Sequence, residues 1–525
     1  MQGGGPMKSY KSFVFLILVV CVSLGSCSGL PKGKGGGGGG GGGNGTAKVS
    51  LVLVADTAPL NLGLVSFKVT INGITLTSST GTKTNFTPNN GNGMEVDLVR
   101  LQSDSAFLGT VPSVPTGTNS TITVSFSNPQ LAFFNGTGAA ITSLTPQCPA
   151  NAVCTASFSA SLGAPVITSA TTISGNMGIG IDFNLSNALV LTGTTLNVSF
   201  INSGSTNVIS SFTLPRQNSN LAAGQLDVIE DITGIVSVTN TAVTITPATA
   251  AGRGTVTAAA NSNTILNADP SNTLCTNPTQ GQVSTCVSSN QAASMDAILN
   301  SDGTLTIQEI EPLLATLKDT VEGTVVSVSA SNQTQFDVII TDVIPAAQGS
   351  LIGSLSIGAP LTVNLANNPN PFLIDSKGLP VASQFASSFG AFANAINTTA
   401  LHAGQTVAVH VTAFTAASGN SLASSTVDTV TLRWSRLTAS PTGALSPSIF
   451  NITALPGHFG FTQANLFGVA VFTGTSGTKG VTNLDGIANG NAPAATPPVG
   501  IRALFIEDTT DTLNPAFFAA KIRQH

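Results

Sequence analysis

From Lys48 onward, apolar and polar residues alternate along the chain with a period of two. Val65, Phe67, Val69 and Ile71 are interleaved with Ser66, Lys68 and Thr70, the pattern of a strand with one buried face. Asn72-Gly73 follows, then Ile74 and Leu76. An Asn-Gly pair supplies the two positive φ angles of a type I′ turn, so the pattern predicts a hairpin here. Val96, Leu98 and Leu101 continue the series, and Ile122, Val124 and Phe126 alternate after the turn Pro115-Thr116-Gly117. Apolar segments at 179–183, 189–191 and 196–200 complete it. Turn signals at this spacing predict a β-sandwich over residues 47–215, with core on one face of each strand and Ser and Thr on the other.

A second pattern begins near residue 227 and recurs. Thr233-Gly234-Ile235-Val236-Ser237-Val238 is echoed by Glu322-Gly323-Thr324-Val325-Val326-Ser327-Val328, each after an acidic stretch. Residues 295–310 read as strand, Asn-Ser-Asp-Gly turn, strand; 406–414 with 426–436 is a longer version, and 501–506 with 517–523 a third. The recurrence implies repeats over 216–312 and 313–437 and a degenerate third over 438–525. Phe385, Phe389, Phe392 and Ile396 fall at helical spacing and predict one amphipathic helix, its Phe row packed in the core. Five strands with one intervening helix suit a small OB-like barrel. The expected fold is therefore all-β: an N-terminal β-sandwich followed by two or three small OB-like β-barrel repeats.

Composition narrows the class. Charged residues make up 8% of the 525 residues, against ~25% in an average soluble protein, while 42% are hydrophobic. The surface must be built from Ser, Thr and Asn. Intrinsic disorder pairs low hydrophobicity with high net charge, and is excluded. There are 26 Phe but one Tyr and one Trp, so aromatic binding platforms and the aromatic girdles of a membrane β-barrel are poorly supplied.

The N-terminus carries an address. Lys8 and Lys11 precede the apolar run 13–22, which has the shape of a secretory signal and is too short to span a bilayer as a helix. Leu24-Gly25-Ser26-Cys27 resembles the bacterial lipobox, which makes residues 1–26 a lipoprotein signal peptide and Cys27 the lipidated first residue of the mature chain. A plain secretory signal that happens to contain a Cys is the alternative. Ser28 in the next position leans towards the outer membrane or cell surface, by resemblance to lipoprotein sorting, with a periplasmic face also open. Removing residues 1–26 takes away two Lys and no acid, moving the formal charge from −5 to −7 and leaving no field for polyanions. Gly33 and nine consecutive glycines at 35–43 make residues 27–46 a flexible tether, with a reach of ~25 Å for about twenty residues.

Setting aside Cys21 and Cys27 leaves Cys148, Cys154, Cys275 and Cys286, an even number with two short separations. Local disulfides 148–154 and 275–286 are expected of an exported chain. A four-thiolate zinc site is the sharper alternative, but this spacing lacks the paired C-x₂-C form.

The stretch 66–77, with Val96-Asp97-Leu98 and Val114-Pro115-Thr116-Gly117, resembles the N-terminal β domain of an uncharacterised family of bacterial lipoproteins. The Gly-x-Val-x-Ser-Val openings at Gly234 and Gly323 resemble a second, OB-like family of unknown function that accompanies it. Neither family carries an assigned reaction, so the resemblance implies an envelope lipoprotein and transfers no catalytic residue.

Candidate chemistry is sparse. Asn300, Asp302, Gly303 and Glu309 match positions three, five, six and twelve of a calcium loop, but Ile298 stands where the first carboxylate belongs, so a hairpin turn is the preferred reading. The acidic groups Asp227, Glu230, Asp231 and Glu507, Asp508, Asp511 read as solvated loops. Ser476-Gly477-Thr478-Lys479 formally fits Ser-x-x-Lys but lacks a companion Lys-Thr-Gly box. Four His exist, His402, His410, His458 and His525, and His410 follows an apolar run as a strand residue would. Trp434 stands beside Arg433 and Arg436. No cofactor is implied, and nucleic acid is disfavoured by net acidity and export. The expected function is a non-enzymatic, lipid-anchored envelope module that meets the membrane through its lipid and has a protein or polysaccharide partner. The alternatives are a polysaccharide-binding or polysaccharide-cleaving lipoprotein using Asp227 and Glu230, and a calcium-stabilised adhesin.

Overall fold

The structure is a computed structural model that describes residues 45–525 apart from 159–165, 168–170, 204–206, 214–224, 248–254, 267–273, 315–317, 347, 368–370, 376–385, 420, 447–448, 454, 461–462, 468–482, 486–497, 507–515 and 525. Cys27 and the glycine tether lie outside the described residues. The fold is mostly β, with several sheets and very few helices, and no described helix is long and apolar enough to cross a membrane.

The first lobe is built from β1 (Thr46–Ala55), β2 (Gly63–Ser78), β3 (Lys83–Phe86), β4 (Met94–Asp97), β5 (Ala106–Pro115), β6 (Gly117–Phe134) and β7 (Val153–Ser157). It continues with β8 (Val166–Ile167), β9 (Thr171–Ile173), β10 (Met177–Phe183), the single-turn α1 (Leu185–Ala188), β11 (Leu189–Thr192), β12 (Thr195–Val198) and β13 (Ile209–Thr213). One sheet runs β13-β10-β1-β5; the other runs β3-β2-β6-β7, with β4 on β2 and β8 and β9 on β6. Between them lies one core that includes Leu51, Phe67, Phe126, Phe183 and Phe200, whose rings meet edge to face or tilted at 5.3–6.4 Å.

Two expectations for this lobe are corrected. Asn72-Gly73 makes no hairpin: β2 runs straight through it, and the register with β6 slips between Ile71 and Gly73. Neither residue has a positive φ. Pairing on both edges, with β6 on one side and β4 then β3 on the other, holds the dipeptide extended as a bulge. The chain turns instead at 79–82, where Gly81 takes φ 85°. The outer face of β1 is also not left to Ser and Thr in water. Val49, Leu51 and Leu53 of β1 enter the sandwich core, while Val52 and Val54 enter the core of the next unit. This explains why β1 is a continuous apolar run, the pattern of a strand buried on both faces.

Three further units follow. The first has β14 (Gln225–Val238), β15 (Ala242–Pro247), β16 (Val256–Ala259), β17 (Ile265–Leu266), β18 (Ala292–Asn300) and β19 (Leu305–Leu314). In the second are β20 (Thr320–Val328), β21 (Gln335–Ile344), β22 (Pro360–Leu365), β23 (Phe372–Ile374), α2 (Ala386–Ala393), β24 (Thr406–Thr415) and β25 (Ala423–Arg433). The third has β26 (Ser435–Ser446), β27 (Ile449–Thr453), β28 (Gln463–Phe467), β29 (Asn483–Asp485), β30 (Val499–Ile506) and β31 (Ala516–Gln524). All three share one topology: third strand, second, first, fifth, sixth, with the sixth returning in parallel to the third and the short fourth strand beside it. That order with a parallel closure is OB-like. Five residue pairs seal the second unit as a small closed barrel, three pairs join the ends of the third, and a single pair, Ala259 with Thr306, joins those of the first.

The third unit, degenerate in sequence, thus keeps the full strand order. It also begins earlier than the repeat spacing implies: β25 ends at Arg433 and β26 starts at Ser435, with only Trp434 between. In α2, Phe392 is buried against Phe372, whereas Ile396 lies past the end of the helix and is exposed.

Candidate functional site

The three-way contact of the sandwich with the second and third units holds the densest polar chemistry among the described residues. It is organised by the 3₁₀ turn Arg100–Gln102, which follows β4. Asp97 shapes that exit, since its Oδ1 accepts from the backbone N–H of Phe67 at 2.9 Å and of Val99 at 3.0 Å. Burial pushes the Asp97 carboxyl above its ordinary value, against the opposing pull of these hydrogen bonds and of Arg100. Val99 and Leu101 then anchor in the sandwich core, leaving Arg100 to cross to the neighbouring units.

Arg100 Nε meets Asp104 Oδ2 at 3.2 Å, and its Nη1 meets Glu322 Oε1 and Asp342 Oδ2, both at 3.4 Å. Arg436 approaches the same carboxylates from the third unit, Nε to Asp104 Oδ2 at 3.0 Å and Nη1 to Glu322 Oε1 at 3.1 Å. Arg433 joins Glu322 Oε2 at 3.5 Å and pairs with Asp375. Arg523 donates to the carbonyls of Leu101 and Asp104 and to Ser105 Oγ, at 2.6–3.1 Å. Arg502 lies 3.8 Å from Asp104 Oδ1, with its guanidinium 5.4 Å over the Trp434 ring. Thr438 donates to the Gln102 side-chain oxygen, which also accepts from Ala58 N at 3.0 Å. The backbones approach closely here: a Cβ on Gly500 would sit 2.2 Å from the Gln102 carbonyl oxygen.

Such an array fixes geometry. Arginine stays charged wherever the fold exists and cannot relay protons, and Asp104 and Glu322 are each shared between guanidinium groups. Its chemical capability is to bind three lobes to one another. Sequence reasoning missed Arg100, Asp104, Glu322, Asp342, Arg502 and Arg523 as a group. The available signal was their setting: in a chain this poor in charge, Arg502 between Ile501 and Ala503 and Arg523 after Ile522 interrupt apolar strands, where charges occur when paired.

The residues singled out from the sequence are distributed elsewhere. Cys148 is bonded to Cys154 in the sandwich, and Cys275 to Cys286 in the first unit. Asn300 Nδ2 donates to the Thr304 and Thr306 hydroxyls, and Asp302 Oδ1 accepts from the Thr304 N–H and hydroxyl, which hold its carboxyl below the ordinary value. Glu309 stands farther along β19, opposite Asp296, and no group of three acidic, His or Cys side chains placed to hold a metal ion occurs among the described residues. The side chains of Asp227, Glu230 and Asp231 are outside the description, as are Glu507, Asp508, Asp511, Ser476–Lys479 as a segment, and His525. His410 is a strand residue whose Nδ1 lies 2.6 Å from Asp428 Oδ1 on the adjacent strand. Trp434 is 2% exposed, sealed between the second and third units, and offers no ring face to a ligand.

No protein-family model, no curated protein and no solved structure matches this chain.

Proposed function

We propose that the chain is a lipid-anchored protein of the bacterial cell envelope that acts by contact, as an interaction or structural module, and not by turning over a substrate. The observation that carries this reading is the lipobox-like Leu24-Gly25-Ser26-Cys27 followed by the glycine tract 35–43. An acyl chain buries CH₂ groups at ~0.8 kcal/mol each, and the glycines give the folded part reach beyond the headgroups. Two disulfides fit an oxidising, extracytoplasmic setting. The distribution of charge fits as well. Nine charged side chains meet at the junction of the lobes, in a chain with 18 Lys and Arg and 23 Asp and Glu, which makes a charge-poor exterior poorer still. Such a surface serves contact through backbone edges and hydroxyls without long-range charge steering.

The test is the intact mass and external-protease sensitivity of the protein expressed in a bacterial host, beside Cys27→Ala. A diacyl or triacyl mass lost in the variant, with cleavage by added protease, is the expected result. An unlipidated soluble mass for the unaltered protein overturns the reading.

A further inference from the structure

A second three-way contact lies at the short 3₁₀ turn Gly457–Phe459 of the third unit. Two of its neighbours are glycines whose missing side chains make the approach possible. A Cβ on Gly63, at the start of β2, would lie 3.3 Å from the Gly457 nitrogen. On Gly404 of the second unit, which has φ +93°, a Cβ would lie 2.1 Å from the Phe459 ring. Gly457 itself faces the Phe134 ring of β6, which a Cβ there would meet at 2.8 Å. Phe459 packs at 5.5 Å against both Phe505 and Phe517.

Within this apolar contact sits one imidazole. His458 is 7% exposed, its ring lies 4.6 Å from that of Phe459, and its Nδ1 has no hydrogen-bond partner. The sandwich presents to it the Gly63 backbone and, through Gly457, the Phe134 ring; its own unit presents Phe459. From the second unit comes His402, whose ring lies 6.4 Å from that of Phe505, one of the rings against which Phe459 packs. Among the described residues no carboxylate pairs with His458.

We propose that the Gly457–Phe459 turn is an acid-sensitive latch, at which protonation of His458 loosens this turn from the sandwich and the second unit while the lobes themselves stay folded. A neutral ring fits the contact, whereas an imidazolium would be a buried charge with no counter-ion. Burial holds the imidazole down to about 4, from 6.5 in the open state where water reaches it. The sign follows from proton counting. The open latch binds more protons than the closed one between about pH 6.5 and pH 4, so closure weakens as pH falls and the effect levels off below pH 4. The opening equilibrium should rise about 30-fold between pH 7.5 and pH 5, and about 140-fold by pH 4.

Hydrogen exchange of the mature chain, corrected for the intrinsic pH dependence of the chemistry, reads this directly. Peptides covering 57–64 and 455–460 are expected to lose about 30-fold in protection between pH 7.5 and pH 5, while β24 and β25 keep theirs; His458→Gln is expected to abolish the difference. Equal protection at the two pH values, or the same loss in His458→Gln, overturns the proposal. If that variant does not fold, the ring resonances of His458 in the unaltered protein decide: titration near 4 supports the latch, and titration near 6.5 with unchanged protection refutes it.

Discussion

Arg100 and Glu322 stand 222 residues apart in the chain and meet at 3.4 Å, both nearly removed from water. The contact joins the loop after β4 to the first strand of the second unit, so two lobes separated by an entire intervening unit share one buried ion pair. Removing one member leaves the other charged and enclosed. Arg100→Ala and Glu322→Ala should each lower the unfolding free energy by ~3–5 kcal/mol, and the double variant should lose clearly less than the two together. Urea titration checks this, and strict additivity would show that the pair is not coupled.

Gly500 tests the backbone contact separately from charge. With the Gln102 carbonyl 2.2 Å from where a methyl would stand, Gly500→Ala must push β30 off the sandwich, at a cost of ~1–3 kcal/mol. Gly353 has open space around it, and Gly353→Ala should change stability by less than ~0.5 kcal/mol. Calorimetry on the two variants separates a close approach from a general dislike of side chains.

Asp97 makes stability depend on pH in the direction opposite to an ordinary paired carboxylate. Its folded-state value is raised, so its favourable contribution is present at low pH and is lost as pH rises through that value. Asp97→Asn retains an oxygen for the Phe67 and Val99 N–H groups and removes the buried charge. The variant should match the unaltered protein near pH 3 and equal or exceed it at pH 7, as measured by urea midpoints. A variant that is less stable at pH 7 than at pH 3, relative to the unaltered protein, contradicts this.

Trp434 reports on the joint between the second and third units without any label. It is the single Trp of the chain, is 2% exposed, and has Arg502 over its ring. Its emission should be blue-shifted and poorly quenched by acrylamide. Arg502→Ala should raise quenching by exposing the ring, before any loss of far-UV signal on mild urea addition.

Much of the strand inventory was legible from local signals. The strand–turn–strand at 295–310 and the paired segments near 406–433 and 501–523 lie where period two and turn residues place them, because a hairpin is decided by neighbours in sequence. Asn72-Gly73 was misread because its fate is decided by β6, some fifty residues on, which pairs along the whole of β2. The same limit hid the junction. Asp104 and Arg436 are 332 residues apart, and nothing near either one announces the other. The outer sides of β1 and of the start of β2 were misjudged for a related reason: Ser50 and Ser66 look like surface residues, yet Ser50 Oγ donates to the Gly303 carbonyl at 2.7 Å and both are fully buried.

The double burial of β1 also sets a schedule. This strand leads the described fold; β5 and β10 pair its edges and the facing sheet covers its inward side, but Val52 and Val54 share their core with residues such as Val236, Met295 and Ile307 of the next unit. A chain delivered from its N-terminus must therefore carry an uncovered greasy strip through the whole making of the sandwich, the stage at which nascent chains stick to one another. The sandwich can assemble early, but it finishes late, once the first unit has formed beside it.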